Sequence, residues 1–350
     1  PVSPGVSGLL GWAFYDWANS AFTTVILTFV FASYFTRSVA SSETLGTRQW
    51  GTALSLAGLS VALAAPCCGA IMDQTGSRKP WLLVFTALCV CASGLLWFVR
   101  PVAAWAIPGL ALVWLGNVGS ELAMMTYNAM LPELADRERI GRWSGWAWGL
   151  GYAGGLLCLV VALLGFVKDG DPLFGLDRAT GAHVRATFVL VAAWYGIFSL
   201  PLFLFTPDTP STGKGWRRGF ADGMRQLRRS VRSVREYGHI VRFLIAHMLY
   251  IDGLATVFVF GGVYAAGTFD MSEAQVLQFG IVLNVTAGLG AAFFAWVDDV
   301  VGSRRTILLS LVSLLVCTTA LLVVEGVVWF WIWGAILGVF VGPVQAASRS

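Results

Sequence analysis

Three carboxyl groups stand where an apolar chain should not keep them. Glu121 lies deep in a hydrophobic run with no nearby base, Asp252 sits within another, and Asp16 lies a few residues into the first. An ionisable side chain near the centre of a bilayer costs about 2.5–3.5 kcal/mol on insertion scales, so each requires a reason. Asp16 is followed by Asn19, Ser20 and Thr23 at offsets of three, four and seven, which places them on one helical face. Asn117, Glu121, Met124 and Asn128 share a face in the same way, and so do Asp252 and Thr256. Faces of this kind handle protons or polar solutes inside a membrane. Asp16, Asn19, Thr23, Asn117, Glu121, Asn128 and Asp252 are therefore the candidate substrate or proton pathway, with Glu121 the candidate proton carrier. For any one of them, an interhelical hydrogen bond or a helix-end charge is the competing explanation. It weighs most on Asp16, close to the start of its run. His247 is read as a packed, hydrogen-bonded residue.

A second constellation is polar and repeated. Asp73-Gln74-Thr75-Gly76-Ser77-Arg78-Lys79 lies between two apolar runs, and Asp299-Val300-Val301-Gly302-Ser303-Arg304-Arg305 returns between two others. Both copies keep the acid, the Gly-Ser pair and the paired bases in register, and Leu82-Leu83 answers Leu308-Leu309. A glycine suits a turn that needs positive φ, and two bases in a short loop suit a cytoplasmic face. The repetition marks a duplicated unit of several membrane helices. The pattern D-x-x-G-x-R-[KR] resembles the signature loop of the major facilitator superfamily, between its second and third helices, with a second copy between helices eight and nine.

With 57% hydrophobic residues, 12% charged residues and a mean hydropathy of +0.73, the chain is not a soluble domain. Its 16 tryptophans fit two aromatic belts at the water interfaces. Cys67, Cys68, Cys89, Cys91, Cys158 and Cys317 all fall in apolar runs, without the spacing of a zinc site or a disulfide framework. No metal site, P-loop or H-E-x-x-H motif is present, so neither ATP nor a metal cofactor is expected, and an enzyme is not the reading. Nothing in the charge pattern calls for nucleic acid, and a monomer is expected.

The elements that must position these groups are apolar runs long enough to cross about 30 Å of hydrocarbon. They lie near 10–35, 50–72, 80–99, 102–128, 143–166, 186–206, 243–265, 275–297, 306–324 and 326–347. Ten spans alternate the loops between two sides. One side holds Arg78, Lys79, Arg137, Arg139, Arg142, the bases from Lys214 to Arg242, Arg304, Arg305 and Arg349. The other holds Arg37, Arg48, Arg100, Lys168, Arg178 and Arg185. The basic side should be cytoplasmic, with the amino terminus on it. The fifth span carries small residues four apart around Gly141, Gly145 and Gly149, which lets helix backbones approach closely. The chain has no initiator Met and stops straight after a span, so a fragment is expected.

Between the sixth and seventh spans lies one long basic connection, 207–242. Within it Phe220, Met224, Leu227, Val231 and Val234 recur at helical spacing among Arg225, Arg228, Arg229 and Arg232. This is either a basic amphipathic helix over 217–235 lying on anionic inner-leaflet lipids, or a solvated linker whose bases only set topology. The chain divides accordingly into 1–206, 207–242 and 243–350.

Gly11-Trp12-Ala13-Phe14-Tyr15-Asp16-Trp17-Ala18-Asn19-Ser20-Ala21-Phe22 and Tyr127-Asn128-Ala129-Met130-Leu131-Pro132 resemble the vacuole-effluxer-like branch of that superfamily. Gly141-Arg142, Gly149-Leu150-Gly151-Tyr152 and the final Gln345-Ala346-Ala347-Ser348-Arg349-Ser350 match it too. The resemblance implies an all-α integral membrane protein with two pseudo-symmetric six-helix bundles, here without the last two helices. It implies a secondary transporter of a small solute, an amino acid or small peptide, working by alternating access with possible proton coupling. A non-transporting receptor or a lipid scramblase on the same fold is the alternative. In the superfamily the signature loops act at the cytoplasmic gate, which carries over to Asp73, Gly76, Arg78, Lys79, Asp299, Gly302, Arg304 and Arg305. Pseudo-symmetry then seats Asp299, rather than Asp298, at the amino-terminal end of the fifth span against Arg142, where free N–H groups favour a carboxylate. Arginine outnumbers lysine many times over, as in a GC-rich genome, which places the chain in a bacterial inner membrane.

If the basic segment is a surface helix, a 217–235 peptide should bind anionic vesicles, and salt should weaken that binding because surface charge is screened over about 10 Å at 0.1 M. Equal affinity for neutral vesicles would reduce it to a linker.

Overall fold

The computed structural model describes residues 6–136, 138–167, 173–213, 216–232, 238–271 and 273–349. Among these the chain is helical, with turns and no strand. The helices are α1 (Val6–Val39), α2 (Glu43–Thr75), α3 (Lys79–Phe98), α4 (Ala103–Leu134), α5 (Ile140–Val167) and α6 (Ala182–Phe205). They continue with α7 (Trp216–Arg232), α8 (Gly238–Phe269), α9 (Glu273–Val301), α10 (Ser303–Val323) and α11 (Val327–Arg349). All but α7 contain a stretch long and apolar enough to cross a membrane, ten in number. At 1.5 Å per residue, 20 residues reach about 30 Å. Hydrocarbon replaces water as the outer solvent, so Leu56, Leu59 and Leu63 of α2 and Val312, Leu315 and Val316 of α10 stand exposed at no cost.

The chain forms two compact units. The first comprises 1–134 and 154–227, the second 135–153 and 228–350. The boundary runs through α5, whose first half belongs with the second unit and whose second half belongs with the first. A division at 206 and 243 does not anticipate this.

In the first unit α1 packs on α6, and α4 on α2 and α3. Apolar packing alone gives little preference for one helix partner over lipid, so directional contacts fix the arrangement. Tyr15 supplies two of them, its hydroxyl lying 2.6 Å from Thr86 Oγ1 on α3 and 2.8 Å from the Tyr195 hydroxyl on α6. Trp12 Nε1 donates to the Tyr127 carbonyl on α4 at 3.1 Å, and the two rings stack at 4.4 Å.

In the second unit the seam is α9 against α11. Gly334, Gly338 and Gly342 repeat every four residues along α11 and leave room for α9, Gly334 for the Phe279 ring, Gly338 for the Thr286 side chain and the Leu283 carbonyl, and Gly342 for the Ala287 carbonyl. A Cβ at Gly342 would run into the Ala287 carbonyl, and one at Gly290 into the Val339 carbonyl. Replacing Gly342 with Leu should cost about 1–3 kcal/mol through overpacking and lower the thermal unfolding temperature of the purified protein. Gly253→Ala, at a helical site with open space, should be neutral or gain about 0.5–1 kcal/mol. Equal unfolding temperatures for the two variants would contradict the seam.

Candidate functional site

The first signature loop binds the ends of four helices of its unit. Gly76 ends α2 with φ +85°, its N–H bonded to the Met72 carbonyl at 2.8 Å. The next turn begins α3, whose orphan N–H groups need an acceptor. Asp208, just beyond α6, supplies it: its carboxylate takes the Arg78 and Lys79 N–H groups at 2.9 and 3.1 Å and the Ser77 hydroxyl. Lys79 Nζ in turn caps the carboxyl end of α6, donating to the Phe203 and Thr206 carbonyls at 2.7 Å each. Arg78 reaches the end of α4, pairing with Glu133 at 2.9 Å and donating to the Ala129 carbonyl. Asp73 is exposed, and among the described residues its ion-pair partner is Arg78 of its own loop, at 4.0 Å.

The second copy is used differently. Gly302 turns the chain with φ +90°, and Arg304 and Arg305 are exposed. Its acid does the binding: the Asp299 carboxylate, 5% exposed, accepts the Arg142 N–H at 2.9 Å and pairs with Arg142 Nε at 3.2 Å. Arg142 is the third residue of α5, where N–H groups lack intrahelical acceptors and the helix dipole favours an anion. The neighbouring Asp298 carboxylate lies against Gly141, where a Cβ would come within 2.7 Å of its Cγ. Gly145 and Gly149 then let α5 touch α9 backbone to backbone, a Cβ at 145 falling 2.6 Å from the Ala291 carbonyl.

The same half of α5 is stapled to α11. Ser144, wholly buried, donates to the Ala346 carbonyl at 2.7 Å and accepts from Arg349 Nε at 3.0 Å. Arg349 also donates to the Ser144 carbonyl at 2.7 Å and lies 5.5 Å from the Trp148 ring centre, a cation–π distance. Two turns on, the Tyr152 hydroxyl donates to Gln345 Oε1 at 2.7 Å.

The polar groups expected along a transport path separate into two kinds. Asp16 is 2% exposed and Asn19 4%. Asp16 accepts the Tyr127 hydroxyl at 3.1 Å, and Asn19 Nδ2 points at Met124 Sδ, 3.9 Å away. Both therefore lie in the packing of α1 on α4, which is the interhelical role. Glu121 is exposed and Asn117 and Asn128 half-buried, on the side of α4 turned from α3, whose contacts are made through Gly119 on the opposite side. Thr23 is exposed in a π-helical stretch, Phe22–Phe29, its carbonyl taking the Thr28 hydroxyl at 2.9 Å. Such interruptions of a helix recur at functional sites. In the second unit Asp252 and Thr256 are exposed on α8, with His247 5.0 Å from the Tyr250 ring.

The basic segment is helical over Trp216–Arg232. Val234 and the side chain of Val231 lie outside the described residues. Gly219 and Gly223 seat α7 on the last turns of α2, a Cβ at 223 falling 2.7 Å from the Ala70 carbonyl, and Gln74 donates to Gln226. Phe220 remains exposed, and Met224 and Leu227 half-buried.

Known proteins carry the same pattern. Residues 136–350 match the family model described as "Vacuole effluxer Atg22 like". The chain belongs to that family. Residues 3–158 match the Major Facilitator Superfamily model. The "Uncharacterized MFS-type transporter YxiO" of Bacillus subtilis is 23% identical over 97% of this chain and 78% of its own length. "Autophagy-related protein 22-1" of Aspergillus fumigatus is 26% identical, over 51% of this chain but only 29% of that protein. Among solved structures, the proton:xylose symporter XylE superposes with a TM-score of 0.72 at 16% identity, covering 98% of this chain and 81% of that one. The human organic anion transporter MFSD10 gives 0.69 at 12%, over 100% and 85%. This vacuole-effluxer-like chain thus has the major facilitator fold and is an integral membrane protein that transports some solute, not an enzyme.

Asp208, Glu133, Ser144 and Tyr152 were not singled out by sequence reasoning as binding partners. Asp208 stands 130 residues from the helix it caps, with no local signal. Ser144 reads as one more small residue in a glycine-rich span. Replacing Asp208 with Ala should cost about 0.5–2 kcal/mol, the range for a lost amino-terminal cap, and Asp208→Asn should recover part of it. Thermal unfolding of the purified variants checks this, and an unchanged Asp208→Ala would refute the clamp.

Proposed function

We propose that this transporter moves an amino acid or small peptide by alternating access, with protons as the coupling ion, and that its motif face is cytoplasmic in a bacterial inner membrane with the amino terminus on that side. The observation that carries the mechanism is the seat of Asp299 on the first turn of α5, at 2.9 and 3.2 Å from Arg142. A contact between a loop acid and a helix start is easily made and broken. Its strength is about 0.3–1 kcal/mol when exposed and up to about 2 when partly buried, which suits a gate that opens in every cycle. Asp73, Gly76, Arg78 and Lys79 hold the ends of the first unit as one rigid body, while Asp299 with Gly302, Arg304 and Arg305 belong to the moving contact. In the first unit Glu121, with Asn117, Asn128 and Thr23, serves solute and proton, and in the second unit Asp252 does. Asp16 and Asn19 hold α1 in place beside α4. The resemblance of the Gly11–Phe22 and Tyr127–Pro132 segments to the vacuole-effluxer-like branch supports the substrate class, and the excess of bases on the motif face supports the orientation.

Alongside the path, α7 lies on anionic lipid. Its support is the exposure of Phe220, Arg218, Arg225, Arg228 and Arg229 on a helix whose glycine face is already used against α2.

A bifunctional thiol reagent joining Arg142→Cys to Asp299→Cys in the full-length protein should stop uptake of amino acids into proteoliposomes. Reduction of a cleavable linker should restore it. Uptake unaffected by complete cross-linking would refute the gate.

A further inference from the structure

The ionic balance of the membrane interior is one-sided. Asp16 and Glu121 stand ten or more residues inside their spans, and Asp252 stands fourteen residues into α8 and seventeen before its end. The lysine and arginines of the spans, Arg37, Arg48, Lys79, Arg142, Arg185, Arg242, Arg304, Arg305 and Arg349, all stand within about five residues of a span end. Asp16 has an internal donor in Tyr127. Glu121 differs: among the described residues no side chain or backbone group hydrogen-bonds its carboxyl, and it is exposed on the side of α4 away from α3.

The helices packed on α4 offer it no positive charge. Contacts of Trp114 with Ser60 and of Thr126 with Met72 place Glu121 level with Cys67 and Cys68 on α2. Arg48, nineteen residues earlier on that helix, is then roughly 30 Å away along the axis. The titratable groups on these helices are Tyr15, Asp16, Tyr34 and Arg37 of α1, Glu43, Arg48, Cys67, Cys68 and Asp73 of α2, and Lys79, Cys89 and Cys91 of α3. Of their three bases, Arg37 and Arg48 stand near the far ends of α1 and α2, and Lys79 is engaged by the Phe203 and Thr206 carbonyls, while Arg78 is held by Glu133. What surrounds Glu121 on its own face is neutral: Asn117 a turn before it, Met124 a turn after it with the Asn19 carboxamide against its sulfur, and Asn128 two turns on.

A carboxylate at membrane depth without a base is stable only when a cation comes to it. We propose that Glu121 seats the protonated amine of the transported solute, and that a proton takes its place when the solute leaves. One negative charge binds one or the other, so the two exclude each other, and exchange follows from competition for a single site. Carboxamides on the same face supply neutral hydrogen bonds to an ammonium group, whereas a hard divalent cation takes about six or more oxygen ligands, more than this face offers. The assignment rests on the transporter reading and names which part of the solute that site recognises.

Three solutes with the same side chain separate the possibilities: an α-amino acid, its amino alcohol and its α-hydroxy acid. Each is offered to proteoliposomes of the full chain under a pH gradient or a sodium gradient. Trapped solute is measured by mass spectrometry and corrected with protein-free vesicles. The amino acid and amino alcohol should accumulate over the hydroxy acid by about tenfold or more, with pH and not sodium as the driving gradient. Glu121→Gln should abolish both the preference and the pH drive, and Glu121→Asp should keep them. Hydroxy acid moving as well as the amines, or Glu121→Gln retaining the preference, would overturn the assignment and leave the transporter standing. Movement of none of the three would overturn the amino-acid reading together with it.

Discussion

The first half of α5 belongs with the second unit, and the Arg142 N–H at its amino-terminal end is held there by Asp299. A helix start carries unpaired donors and the positive end of the dipole, and lipid satisfies neither. Asp299 supplies the acceptor, Gly141 leaves room for the neighbouring Asp298 and Gly145 for the α9 backbone, and Ser144 takes the Arg349 guanidinium. Beyond Ala153 the same helix belongs with the first unit, where Gly154 and Gly155 press on Trp17 and Ser20 of α1. One continuous helix thus answers to two bodies.

The two signature loops show how a duplicated sequence acquires two uses. In the first copy the bases act: Lys79 and Arg78 cap and pair at the ends of α6 and α4, and the acid is exposed. In the second copy the acid acts, and the bases are exposed. The glycine is needed in both for the same reason, a φ near +90° that other residues avoid. Same register, different partners, different work: the first loop ties helices of one unit, while the second meets a helix that is not wholly its own.

Much of this was legible in the residues. Hydropathy alone places ten spans, because a helix in hydrocarbon must be apolar over about 20 residues. The register of Asp73 and Asp299, combined with the free N–H groups at a helix start, leads to the contact with Arg142. The exposure of Glu121 follows from the face it shares with Asn117 and Asn128. The burial of Asp16 does not, since only the packing of Tyr127 reveals its donor. Asp208 was invisible for a similar reason, its partners lying far along the chain. The split of α5 could not be read either, because helical periodicity says nothing about which neighbour each half prefers. Gly334, Gly338 and Gly342 carried a four-residue signal in plain view, and its meaning was the α9–α11 seam.

The central claim is that the Asp299 seat opens and closes as one step of transport. Spin labels at Arg139 and Arg304, both exposed at the motif face, report the distance between the start of α5 and the end of the second loop in the reconstituted protein. The account predicts two resolved distance populations whose ratio changes with pH and solute, and an Asp299→Asn variant shifted to the longer one. A single distance, unmoved by pH, by solute and by that substitution, would contradict it.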